Sequence, residues 1–258
     1  MSDFNVYKGT GKLGEFDERV FEKKPDKYIP SEGLKNAVNV ALSLGQPLLL
    51  TGEPGTGKSM LAYSIAHELD LDEPLVFRTK TTSSARDLFY SYDAVRHFRK
   101  SQIEGKTEAG EFITDGPLGT AIKSDGRRVV LIDEIDKAPR DFPNDILNEI
   151  EDLSYTVDET GEFFKAGSQN RPIVVMTSNS EKNLPDAFLR RCVFYHVPFP
   201  SKDELLKIIE ARVEGSHFNE SELSNMIEHF LELRKSIKRK KPATAELISW
   251  IETLDKLS

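Results

Sequence analysis

The stretch TGEPGTGKS, residues 51–59, follows the apolar run Pro47-Leu48-Leu49-Leu50 and leads straight into MLAYSIAHEL. A tight strand-to-helix turn would account for its three glycines, because glycine adopts backbone angles closed to other residues. The spacing Gly52-x-x-x-x-Gly57-Lys58-Ser59 says more. It is that of a phosphate-binding loop, in which successive backbone N–H groups wrap an anion and a lysine reaches the outer phosphates. Gly52, Gly55 and Gly57 let the main chain approach the anion, and the helix that follows offers it about half a positive charge at its N-terminus. Ser59 is then placed to hold Mg²⁺ through its hydroxyl. The residues expected against a bound nucleotide are Gly52, Glu53, Pro54, Gly55, Thr56, Gly57, Lys58, Ser59 and Met60.

A phosphate loop needs an acidic partner strand, and RVVLIDEIDKAP, residues 128–139, supplies one. Four apolar residues, Val129 to Ile132, end in Asp133-Glu134, so a buried strand delivers two carboxylates at its C-terminal edge, where open α/β sheets place their ligands. Asp133 is expected to act on Mg²⁺ together with Ser59, and Glu134 to polarise an attacking water; a hard cation and a departing proton both require acids. A plain helix cap would also explain an Asp-Glu pair, though less well with the loop upstream.

Composition sets the frame. The chain has 258 residues, 38% hydrophobic and 30% charged, enough for a sizeable core. No apolar run approaches the roughly 20 residues that span a bilayer, and MSDFNVYKGTGK has no signal-peptide core, so a cytoplasmic protein is expected. One cysteine, Cys192, excludes an intramolecular disulfide and reads as a buried thiol. The five histidines show no metal-ligand spacing. A net charge of −8 argues against general affinity for nucleic acid. The local exception is KSIKRKKP, residues 235–242, most simply a solvated helix end.

Along the chain, residues 1–27 read as an irregular arm. Ser31 is a plausible N-cap for a helix ending at Leu44 before Gly45. Strands are expected at 48–51, 75–79, 128–133, 172–179 and 192–199, with helical or irregular segments between most of them. That pattern predicts a parallel sheet between helices. After Pro200 three amphipathic helical segments follow, with Trp250, Ile251 and Leu254 expected in their core. The fold class is therefore α/β, a P-loop NTPase core over 28–200 followed by a small all-helical lid over 201–258.

With these motifs in order, the chain resembles the AAA+ ATPases, and more narrowly their MoxR-like branch. The resemblance covers approximately residues 28–258. It rests on YIPSEGLKNAVNVALSLGQPLLLTGEPGTGKS, DEIDKAP, TSN at 177–179 and LPDAFLRRC at 184–192. It implies ATP and Mg²⁺ as ligands and hydrolysis at subunit interfaces, in a ring expected to be hexameric. It also implies remodelling or activation of a protein partner, often one carrying a von Willebrand A domain. Asn179 matches the family's sensor 1, which contacts the γ-phosphate or the attacking water; Ser178-Asn179-Ser180 is also good turn chemistry. Arg191 aligns best with the arginine finger that reaches a neighbouring subunit, and Arg190 is the alternative.

Two features depart from the simplest pattern. The lid arginine expected just after a proline is missing, since Pro242 is followed by Ala243-Thr244-Ala245, and Lys240 or Lys241 would have to substitute. Residues 83–126 resemble the insertion within the second helical segment that such proteins turn toward the ring pore, and a second hairpin precedes TSN. Their aromatics, Phe89, Tyr90, Tyr92, Phe112, Phe163 and Phe164, could meet a partner or simply pack the hairpins. Two other functions compete with the remodelling ATPase: a nucleotide switch in a signalling assembly that does not hydrolyse, and a DNA-translocating motor suggested by the basic run.

Overall fold

The computed structural model describes residues 23–180, 184–213 and 216–257. Most of the expected N-terminal arm lies outside them. The strands are β1 (Leu48–Thr51), β2 (Leu75–Arg78), β3 (Tyr90–Tyr92), β4 (Ile113–Asp115), β5 (Val129–Asp133), β6 (Ser154–Thr156), β7 (Phe163–Lys165), β8 (Ile173–Ser178) and β9 (Val193–His196). The helices are α1 (Glu32–Leu44), α2 (Lys58–Glu68), α3 (Ala85–Phe89), α4 (Ala94–Glu104), α5 (Pro117–Lys123), α6 (Phe142–Asp145), α7 (Leu147–Asp152), α8 (Asp186–Leu189), α9 (Lys202–Arg212), α10 (Glu220–Ser236) and α11 (Thr244–Leu257).

Five strands form one sheet in the order β2-β5-β8-β1-β9, every neighbouring pair parallel. The register sets Leu49 beside Met176 and Ile132 beside Met176, so the ends of β1, β8 and β5 finish side by side. Successive strand residues face opposite sides of a sheet. Here both sets are buried: Leu49, Val130, Ile132, Val174 and Met176 join a core with Leu118, Phe142 and Phe188, while Leu48, Leu50, Leu131 and Val175 are buried as well. A parallel strand covered on both faces needs a continuous apolar run, which is why VVLI and LLL carry no alternation.

The chain divides into two compact units. One comprises Pro30–Gly52 and Lys58–Val197; the other comprises Glu53–Gly57, Pro198 onward and the described residues up to Ile29. In the first, Ser31 caps α1 by accepting the Leu34 N–H, and Gly45, at φ 62°, ends it in the left-handed conformation. The insertion between β2 and β5 folds as α3, the antiparallel pair β3–β4 with α4 between its strands, and α5. A second hairpin, β6–β7, precedes β8.

The second unit has its own core, built from Leu205, Ile209, Leu223, Ile227, Phe230, Leu247 and Ile251 on α9, α10 and α11. Each helix start is explicit for α9 and α10, where Ser201 and Asn219 form capping boxes with Glu204 and Glu222.

Two sequence expectations change. Trp250 is not core: it is 36% exposed, its ring beside that of His229, and Ile251 takes the buried position. Cys192 precedes β9 and is half-buried rather than sealed within the strand; burial of the thiol pushes it up to about 12, leaving it protonated and unreactive at neutral pH. Of the six insertion and hairpin aromatics named above, Phe89, Tyr90 and Phe112 are buried and pack the fold, Tyr92 and Phe164 are half-buried, and Phe163 is largely exposed.

Candidate nucleotide site

The loop after β1 requires its glycines. Gly52 has φ 145°, and a Cβ there would lie 2.4 Å from the Val197 carbonyl oxygen. Gly55 has φ 75°, and a Cβ would meet that of Ala243 at 2.6 Å. Any L-residue at either position is excluded both by backbone angle and by space. Lys58 opens α2 and is 6% exposed; its ammonium donates to the Gly52 carbonyl at 2.8 Å, folding the side chain back under the loop.

At the adjoining strand ends the polar groups satisfy one another. Ser59 Oγ and Thr177 Oγ1 both donate to Asp133 Oδ1, at 2.6 and 2.7 Å. Thr177 also accepts the Glu134 backbone N–H at 2.9 Å. It is buried, and sequence reasoning did not single it out; its signal was the hydroxyl in TSN, on the strand lying between β1 and β5. Glu134 sits at φ 57°, a left-handed conformation that costs a non-glycine residue about 1–3 kcal/mol. That turn aims its carboxylate at Asn179 Nδ2, which donates to Oε1 at 3.0 Å, and at Lys137 Nζ, which donates to Oε2 at 2.6 Å. The Asn179 backbone N–H is in turn held by Asp136 Oδ1 at 3.3 Å, and Asp136 is 2% exposed. Lys137 lies within DEIDKAP but was assigned no role; the three-residue offset from Glu134 was its signal.

The tip of the same loop belongs to the helical unit. The Glu53 carboxylate is paired with Arg234 of α10. The guanidinium also donates to the Pro242 carbonyl at 2.6 Å and lies 3.7 Å from the Phe199 ring centroid. Thr56 Oγ1 closes the tip on the Glu53 carbonyl at 2.9 Å. Pro54 is exposed, and Met60 is half-buried in the first turns of α2. Lys240 and Lys241, the two candidates to stand in for a lid arginine, are exposed beyond the end of α10. The arginine that does reach the loop is Arg234, which continues the buried stripe Leu223, Ile227, Phe230 at helical spacing. An arginine on an apolar stripe was the available signal.

The two finger candidates are treated differently. Arg191 is half-buried, its Nε 2.7 Å from a Glu151 carboxylate oxygen and its Nη1 on the Ala187 carbonyl. Arg190 is exposed and makes no ion pair among the described residues.

Residues 47–192 match the family described as AAA domain, dynein-related subfamily. The chain is an AAA domain. This AAA domain is 26% identical over 219 residues to CD-NTase-associated protein 6 of Pseudomonas aeruginosa, spanning 79% of this chain and 67% of that protein. It is 25% identical over 181 residues to the uncharacterized protein YehL of Escherichia coli K12, spanning 69% of this chain and 48% of that one. In fold it is similar to a putative ATPase from Cytophaga hutchinsonii, with a TM-score of 0.52 at 18% identity, covering 81% of this chain and 61% of that structure. Among the described residues, no helix of the AAA domain is long and apolar enough to cross a membrane.

Proposed function

We propose that this chain is a Mg²⁺-dependent ATPase of the MoxR-like kind, one that couples hydrolysis at subunit interfaces to remodelling or activating a protein partner. The observation that carries the reading is the cluster at the ends of β1, β5 and β8. Ser59 and Thr177 converge on one oxygen of Asp133, next to a Glu134 held at both oxygens by Asn179 and Lys137.

The residues fit the ligands. Positive-φ glycines leave the loop open to an anion, and Lys58 is a buried ammonium that donates to the Gly52 carbonyl, an acceptor that phosphate oxygens can replace. Ser59 and Asp133 would hold Mg²⁺, which neutralises charge on the phosphates. In the reaction ATP and water give ADP and phosphate: the water oxygen bonds to the γ-phosphorus as the bond to the ADP oxygen breaks. Glu134 orients that water and accepts its proton, and must exchange the Lys137 or Asn179 contact to do so. Asn179 fixes Glu134 and faces the same water. Arg190 or Arg191, supplied by the next subunit of a ring that we take as hexameric, neutralises charge on the transferring group.

A protein target is supported by the resemblance and by the name of one relative, which records association with a CD-NTase. A von Willebrand A domain is the target class the MoxR-like resemblance suggests.

The test is nucleotide binding and turnover on four variants. Lys58→Ala should lose ATP affinity, whereas Glu134→Gln should keep it and lose turnover. Mixing Glu134→Gln with Arg190→Ala, and separately with Arg191→Ala, should restore activity for whichever arginine acts in trans. Undiminished hydrolysis by Glu134→Gln sinks the assignment of that residue. Failure of both mixtures, with all variants assembled, sinks the shared site.

A further inference from the structure

Helix α4 stands inverted relative to an ordinary surface helix. Positions spaced i, i+3, i+4, i+7 and i+8 define one face of a helix, normally the buried one. On α4 they are Val95, Phe98, Arg99, Gln102 and Ile103, and all five are exposed. Val95 is 62%, Phe98 65% and Ile103 85% exposed, the last being the most exposed large apolar side chain among the described residues.

The face turned inward is the polar one. His97 stacks on Phe112 with ring centroids 4.5 Å apart and hydrogen-bonds the Tyr92 hydroxyl. Lys100 pairs with Glu111 at 2.5 Å and with Glu104 at 3.6 Å. The Asp93 N-cap accepts the Arg96 N–H at 2.8 Å, and Gly105 follows the last turn at φ 84°. An 11-residue helix is marginal alone in water, so these contacts keep α4 formed while its apolar face has no cover among the described residues. A soluble chain seldom exposes such a stripe without a use for it.

Charge identifies the occupant. The one acid on α4, Glu104, lies on the side away from the stripe and is engaged by Lys100. Arg99 within the stripe and Arg96 beside it have no ion pair among the described residues, although the chain as a whole carries −8. We propose that the Val95-Phe98-Ile103 face of α4 is the docking surface for an acidic segment of a partner protein, one that presents Leu- or Phe-sized side chains between Asp or Glu residues. Phe98 and Ile103 would supply the buried apolar contact, and Arg96 and Arg99 the opposite charges at its rim. This deepens the reading of a protein-directed ATPase by naming the chemistry of what docks. Docking is measured apart from hydrolysis, so either can fail alone.

The test probes the full chain with an array of 12-residue peptides in which acidic and large apolar content are varied independently. Retention should be confined to peptides rich in both, weaken on raising salt, and fall at least tenfold for Phe98→Ser and about fivefold for Arg99→Glu. Thermal stability and basal ATPase should stay unchanged in both variants, since neither side chain packs the core or belongs to the nucleotide site. Equal retention of basic peptides, no retention at all, or retention indifferent to Phe98→Ser overturns the proposal. Preferential binding of a single-stranded oligonucleotide through Arg96 and Arg99 overturns it in favour of nucleic acid. Loss of the assembled state in Phe98→Ser, seen by sedimentation, overturns it in favour of a second copy covering the face.

Discussion

In the sheet-bearing unit, Asp133, Glu134 and Asn179 find their partners where neighbouring strands end together, whereas in the helical unit Glu53 is met by Arg234, 181 positions further along the chain. Both arrangements act on one nine-residue loop, whose ends, Gly52 and Lys58-Ser59, go with the sheet and whose tip goes with the helices. The first is a set of short-range contacts in which hydroxyls, an amide and a lysine occupy the carboxylate oxygens, contacts that the proposed reaction would trade for ligand. The second is a single buried guanidinium stacked on Phe199. From this difference we expect the sheet edge to govern the rate of chemistry, and the Arg234 pair to govern the conformation of the loop and so its affinity.

The largest effect should separate those two roles. Asn179→Ala removes the amide that fixes Glu134 Oε1, and removal of one positioned donor in a reacting site costs about 10²–10³ in turnover. Steady-state hydrolysis with ATP affinity measured in parallel checks this: kcat should collapse with affinity little changed. Arg234→Ala should do the reverse, weakening ATP binding by about tenfold, an equilibrium change of about 1.4 kcal/mol, with a smaller change in kcat. If Arg234→Ala matches Asn179→Ala in kcat, the division between the two regions is wrong.

How much of this was legible follows the same line. The strand assignments, the glycine loop and the acidic strand end could be read because their residues sit at fixed short spacings: LLL and VVLI are buried on both faces, and Asp133 follows directly on its strand. The helical unit's three helices were readable from periodicity. Arg234 was not, because a charged residue near a helix C-terminus ordinarily marks a solvated end, and only its place on the Leu223-Ile227-Phe230 stripe betrays burial. Thr177 and Lys137 were overlooked since their roles depend on pairing between strand ends and on the turn at Glu134. Trp250 misled for the opposite reason: its spacing fits a core position, but the neighbouring Ile251 fills it.

A smaller effect sharpens the Arg234 side of the comparison. Hydrogen bonds to charged groups contribute about 1.5–3 kcal/mol, but the Glu53 side chain is 50% exposed, so solvent screens the pair and about 1–2 kcal/mol is the expected coupling. A double-mutant cycle of Arg234→Ala and Glu53→Gln, read by urea unfolding, measures it directly. Additive losses would mean that the contact does not hold the tip, and that Arg234 stabilises only through Phe199 and the Pro242 carbonyl.

The smallest expected effect uses one serine from each unit. Ser31 caps α1 by accepting the Leu34 N–H at 3.3 Å, and Ser201 caps α9 by accepting the Glu204 N–H at 3.3 Å. Loss of an N-cap hydroxyl costs about 1 kcal/mol, so Ser31→Ala and Ser201→Ala should each lower stability by about that much. The consequences should then diverge. Ser31 also hydrogen-bonds the Tyr195 hydroxyl, which ties α1 to β9, so its loss should be shared with the whole sheet and leave a single unfolding transition. Ser201 caps a helix whose core, Leu205 and Ile209, belongs to the small helical cluster, so its loss should fall on that cluster alone. Amide exchange under native conditions resolves the two: Ser201→Ala should speed exchange across α9, α10 and α11 while β1, β5 and β8 keep their protection. Equal acceleration in the sheet would show that the two units unfold as one, and that the affinity and rate effects assigned to them separately must be coupled.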